Sequence, residues 1–95
     1  MNKTTEWLTA SELAELTGVP TEILGRGVDA GLFKDLVATV AGEQRFAPDT
    51  IQFVAWSSQL FADVAAGAVT MADAHRLLWA RARQLRRRLA RTLVS

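Results

Sequence analysis

The sequence predicts a mainly α-helical domain carrying one small β-hairpin. Three observations predict it. Capping signals stand at Thr9 and Thr70, apolar residues recur at helical spacing on both sides of a central segment, and in that segment β-branched residues flank a glycine turn. Ninety-five residues make one domain, or one domain with a tail, and an apolar fraction of 49% is enough for a core.

Thr9-Ala10-Ser11-Glu12 has the T-x-x-E spacing of a capping box. The helix it opens runs to Gly18, with Leu13 and Leu16 as its buried residues and Ala10 and Ala14 as small neighbours. Val19-Pro20 re-enters helix, proline being tolerated in a first turn. Ile23, Leu24 and Val28 supply the apolar side of this second helix, Gly31 ends it, and Leu32-Phe33 turns back into the core.

Residues 34–46 read as two short strands around Ala41-Gly42-Glu43. Pro48 and Asp49 open a third helix, the carboxylate lying near its positive end. Ile51, Val54, Phe61 and Val64 form one face of it, and Phe53, Trp56 and Leu60 widen that face beyond an ordinary amphipathic stripe. Gly67 closes it. Thr70-Met71-Ala72-Asp73 caps a fourth helix from Met71 to about Leu93. On it Leu78, Ala82, Leu85 and Leu89 step by four, three and four residues, which is a coiled-coil seam and an expected oligomer contact. Two helices with a tight turn, a hairpin and two further helices make a winged helix-turn-helix with a long basic C-terminal helix.

The charge is divided along the chain. Residues 1–75 hold ten acids and four bases, a net of −6, whereas residues 76–95 hold seven arginines and no acid, a net of +7. The reading is an acidic body over 1–75 and an arginine-rich extension over 76–95 that carries Arg81, Arg83, Arg86, Arg87, Arg88 and Arg91. The extension is either a solvated helix face that offsets the body or a binding surface.

Other classes are disfavoured. The chain has no cysteine, so no disulfide or thiolate site, and a lone histidine, His75, makes a poor metal site. No nucleophile–base pair, paired acid site or phosphate-cradling glycine loop is recognisable, so the expectation is a protein that is not an enzyme and needs no cofactor. No apolar run approaches the roughly 20 residues of a membrane span, and MNKTTEW lacks the apolar stretch of a signal peptide. A cytoplasmic location is expected.

ASELAELTGV at residues 10–19, Gly31-Leu32-Phe33, Arg45-Phe46 and Gly67-Ala68-Val69-Thr70 before MADAHRLL occur in an order that resembles the DNA-binding domain of MerR-like regulators. The likeness covers about residues 8–80 and extends to phage excisionases and the small subunit of some tailed-phage terminases. It implies double-stranded DNA as a partner, an architectural or regulatory role, and an oligomer. The DNA-facing residues it implies are Thr21, Arg26, Lys34, Gln44 and Arg45, with Arg26 the candidate for guanine readout and the others for phosphate or polar contacts.

The sequence departs from the MerR-like pattern in its second helix. A basic residue and an Arg-Tyr-Tyr run are usual there, and this chain has Glu22 and Gly25-Arg26-Gly27. The two glycines are expected to thin the groove-facing surface. Trp7, Trp56 and Trp79 are expected in the core or at oligomer contacts. The alternative function is a protein–protein adaptor that keeps the winged-helix frame and docks an acidic partner through its arginine-rich helix.

Overall fold

The capping box forms as its spacing predicts. In a computed structural model that describes residues 6–94, with side chains to residue 91, the Thr9 amide donates to Glu12 Oε1 at 2.9 Å and the Glu12 amide donates to Thr9 Oγ1 at 3.1 Å. This starts α1 (Ala10–Thr17), which Gly18 ends at φ +74°. α2 (Thr21–Asp29) follows at once, with Pro20 at its N-cap rather than inside the first turn. After α2 the Gly31 amide donates to the Val28 carbonyl and the Leu32 amide to the Gly27 carbonyl, both at 3.0 Å. These are the paired bonds of a Schellman close, and they need the left-handed φ of +83° that Gly31 adopts.

Strands β1 (Leu8–Thr9), β2 (Val37–Val40) and β3 (Glu43–Phe46) form an antiparallel sheet in the order β1-β3-β2. The hairpin was expected and β1 was not. Two residues are too few to show alternation, and Leu8 and Thr9 are strand only because β3 offers them Phe46 and Arg45 as partners. Val40 faces Glu43, so the turn is Ala41-Gly42, with φ of +53° and +79° at the two residues. Both positive values are those of a type I′ turn. α3 (Thr50–Ala65) and α4 (Met71–Val94) complete the chain, the latter capped where Thr70 Oγ1 accepts from the Asp73 amide at 3.1 Å. The fold is mainly helical, with four helices and a small three-stranded antiparallel sheet.

Three aromatic rings tie the layers together. Phe33, after α2, meets Phe46 of β3 edge-on at 5.5 Å between centroids and Phe53 of α3 edge-on at 6.0 Å. Leu13, Leu24, Leu36, Val54 and Leu60 surround them, and α4 adds Ala74, Leu78, Ala82 and Leu85. Trp56 stacks on Phe53 at 6.2 Å and is half-buried, in keeping with the wide apolar face expected of the third helix.

Several expectations are corrected. Leu16 is 61% exposed and Ile23 48% exposed, because α1 and α2 each turn only a narrow row inward, through Leu13 and Leu24. Phe61 is also exposed, at the rim of a surface groove. The seam expected to join two copies is occupied within one chain. Leu78, Ala82 and Leu85 are buried in the chain's own core and present no open face to a partner, and Leu89 is half-buried against the same core. The change of charge at residue 76 falls inside α4 and divides no core, since Ala74 and Leu78 belong to the same cluster. Leu93, whose side chain lies outside the described residues, is not placed.

Gly27 does not thin the outer surface of α2. A Cβ at residue 27 would lie 2.6 Å from Cε2 of Phe33, whereas one at Gly25 would meet nothing within 4 Å. The Phe33 ring cannot yield, held as it is by Phe46 and Phe53. Gly27→Ala should therefore lower stability by about 1–3 kcal/mol through overpacking, and Gly25→Ala should raise it by up to about 1 kcal/mol through helix propensity. Urea titrations of the two variants check this, and equal effects would remove the contact from the explanation. At the hairpin, Ala41 holds a left-handed backbone that asparagine adopts more readily, so Ala41→Asn should raise stability by roughly 0.5–1 kcal/mol. Thermal melts would show a lower midpoint if the turn were of another type.

Candidate nucleic-acid interface

The sheet holds Arg45 in place. It lies on β3 between Ala38 of β2 and Thr9 of β1. Its Nη1 donates to the Trp7 carbonyl and its Nη2 to Glu43 Oε2, both at 3.2 Å. The side chain keeps only 26% of its surface exposed, and its Nε is buried without a hydrogen-bond partner among the described residues. The guanidinium thus ties the segment before α1 to the hairpin. It also sits near Glu12, whose carboxyl is held below the usual carboxylate range, first by the Thr9 backbone amide, then by the Thr9 hydroxyl, and last by Arg45. Among the expected DNA contacts, Arg45 is the one already committed to carboxylates and a carbonyl.

The other four are exposed, and the structure does not gather them on one face. Thr21 and Arg26 stand five residues apart on α2, which separates them by about 140° around its axis. Arg26 points away from Leu24, flanked by Glu22 four residues before it and Asp29 three after it. The outward side of α2 therefore carries two carboxylates and one guanidinium. Lys34 sits in the turn after α2 beside Asp35, and Gln44 projects from β3.

Positive charge gathers on α4. Counting about 100° per residue from the buried row Leu78–Ala82–Leu85, the side chains of Arg83, Arg87 and Arg91 fall on the opposite face, and all three are exposed. Arg76, Arg81 and Arg88 have structural contacts. Arg76 pairs with Asp73 within α4, and Arg81 lies over the Trp56 ring at 5.0 Å from its centroid. Arg81 and Arg88 line a small cleft with Asp49 and Gln52 at the start of α3. Among the described residues no ion pair engages Arg83, Arg86, Arg87 or Arg91. Gln84, Arg87, Arg88 and Arg91 border an open cleft of about 340 Å³.

A second surface was not anticipated. A groove of about 360 Å³ runs between the α1–α2 turn and α3, walled by Val19, Ile23, Phe33, Val54 and Phe61, with Ser57 and Ser58 on one side and no charged residue in its lining. Its signals in the sequence were Ile23 and Phe61, both read as inward-facing. Phe61 also meets His75 edge-on at 6.4 Å, so the lone histidine packs on an aromatic ring. Among the described residues no helix is long and apolar enough to cross a membrane, and no cluster of three or more His, Cys, Asp or Glu is assembled. Comparison with protein-family models, curated proteins and solved structures finds no match to the chain.

The depressed Glu12 carboxyl has a consequence for acid stability. Its charge is preferred in the folded state, so its contribution is present above the unfolded value and is lost as pH falls through the lowered folded value. Glu12→Gln keeps an acceptor for the Thr9 amide and removes the titration. The stability of the variant should depend less steeply on pH below about 4.5, the ordinary value, than that of the parent. Denaturant melts between pH 5 and 3 check this, and parallel curves would show that the box does not favour the ionised form.

Proposed function

We propose that the chain is a winged helix-turn-helix protein that binds double-stranded DNA in an architectural or regulatory role. One observation carries the reading: a helix, a tight glycine turn and a second helix lead directly into a hairpin whose inner strand β3 also pairs with a strand preceding the first helix. That order is the one a winged helix-turn-helix would have, and it supports the likeness to MerR-like regulators drawn from the sequence. The acid-free arginine segment of α4 supplies the cations such a protein needs. One domain of this size offers few phosphate contacts, so several copies adding theirs along a duplex suit the role better than one.

The adaptor reading is favoured by a specific observation, the acidic outward side of α2 with Glu22 and Asp29 around Arg26. In that reading the arginine segment meets an acidic protein.

Fluorescence anisotropy of a labelled 30-bp duplex of arbitrary sequence separates the two. DNA binding should show a dissociation constant of about 10⁻⁴–10⁻⁶ M near physiological salt that weakens steeply as salt rises. A full-length sample that shows no binding at 50 mM salt would sink the DNA reading.

A further inference from the structure

We propose that the duplex is held by the outward row of α4, with Arg83, Arg87 and Arg91 each on a phosphate of one strand, and not by the outward side of α2. The proposal rests on the DNA-binding reading and names the surface that serves it.

Charge decides first. The outward side of α2 carries Glu22 and Asp29 around Arg26, Lys34 has Asp35 beside it, and Arg45 is bound to Glu43 and the Trp7 carbonyl. Among the described residues, only the outward side of α4 gathers exposed cations with no carboxylate between them. A helix face that is merely solvated usually alternates its signs, because like charges four residues apart repel. Here Arg83 repels Arg87 and Arg87 repels Arg91, and a row of phosphates relieves both repulsions.

Spacing agrees. At 1.5 Å per residue the three arginines stand about 6 Å apart along the axis and span about 12 Å. One DNA strand places a phosphate every 3.4 Å along its axis, so about three to four phosphates pass the row. Long, flexible arginine stems absorb the mismatch, and the guanidinium fork matches a phosphate with two donors. Arg83 stands on a firm base, because the opposite side of α4 is fixed in the core by Ala74, Leu78, Ala82 and Leu85, while Arg87 and Arg91 lie beyond Leu85, backed by the half-buried Leu89, and can adjust to the duplex. Gln84 and Arg88 border the same cleft as Arg87 and Arg91 and extend the polar surface. Contacts of this kind go to the backbone and not to base edges, so binding is nearly independent of sequence.

The experiment uses the full chain, a labelled 30-bp duplex and salt from 50 to 200 mM. The triple variant Arg83→Ala/Arg87→Ala/Arg91→Ala should bind at least tenfold more weakly at 100 mM salt, with a log–log salt slope shallower by about 2.7. Arg87→Glu guards against a folding artefact. Its carboxylate would lie four residues from both Arg83 and Arg91, so thermal stability should hold or rise while binding falls at least tenfold. Arg26→Ala/Lys34→Ala should stay within about twofold of the parent. If that control loses as much as the triple variant, or the triple variant keeps its affinity and slope, the proposal fails while DNA binding stands. If the parent ignores duplex at 50 mM salt but binds poly-glutamate through the same arginines, both the proposal and the DNA reading fall in favour of an acidic protein partner.

Discussion

The edge of the Phe33 ring against the bare backbone of Gly27 is the contact on which the placement of the other elements depends. It lets α2 lie close to the ring, and the same ring meets Phe46 of β3 and Phe53 of α3 edge-on. A single side chain thus sets the distance from α2 to both the sheet and α3. Leu24, one turn before Gly27 on the inner side of α2, fills the space beside it. Close packing leaves no slack for even one added methyl group at such a junction. The glycine that looks like a weakness in a helix is where the helix is held.

Much of the fold was legible because each boundary carries its own local chemistry. The capping box at Thr9 and Glu12, the closing glycines Gly18, Gly31 and Gly67, and the cap at Thr70 act within a few residues, and the structure has a helix boundary at each. What was not legible depends on partners distant in the chain. β1 is strand only through β3, and Arg45 is a strut only because the Trp7 carbonyl, 38 residues earlier, reaches it. Leu16, Ile23 and Phe61 have helical spacing but sit on the flank of their stripes, and periodicity alone cannot tell a flank from a centre. The leucine spacing on α4 was misassigned for a related reason. A row repeating every three or four residues says that one side is covered, not which chain covers it.

The division of charge has a clear physical form. Arg81 is taken up by the body, over the Trp56 ring, and Arg76 pairs within α4 with Asp73, while Arg83, Arg87 and Arg91 have no ion pair among the described residues. The acidic body and the basic helix are thus two surfaces of one unit, joined along the Leu78–Leu85 row. A net charge near zero for the whole chain hides a large charge asymmetry, and the field at the α4 surface, not the net value, governs an approaching polyanion.

α4 also has an uneven protection along its length. Among the residues whose side chains are described, Leu85 is the last of α4 with less than a tenth of its surface exposed, and Leu89 is half-buried. Amides up to that point are backed by the core and open to exchange only when the core itself opens. Those beyond it depend increasingly on their own helical hydrogen bonds and exchange through local fraying. The helix is therefore a stiff lever at one end and a compliant tip at the other. Reshaping the stretch from Arg86 to Arg91 against a curved surface disturbs little else, since Leu89 is its one apolar side chain packed on the core among the described residues.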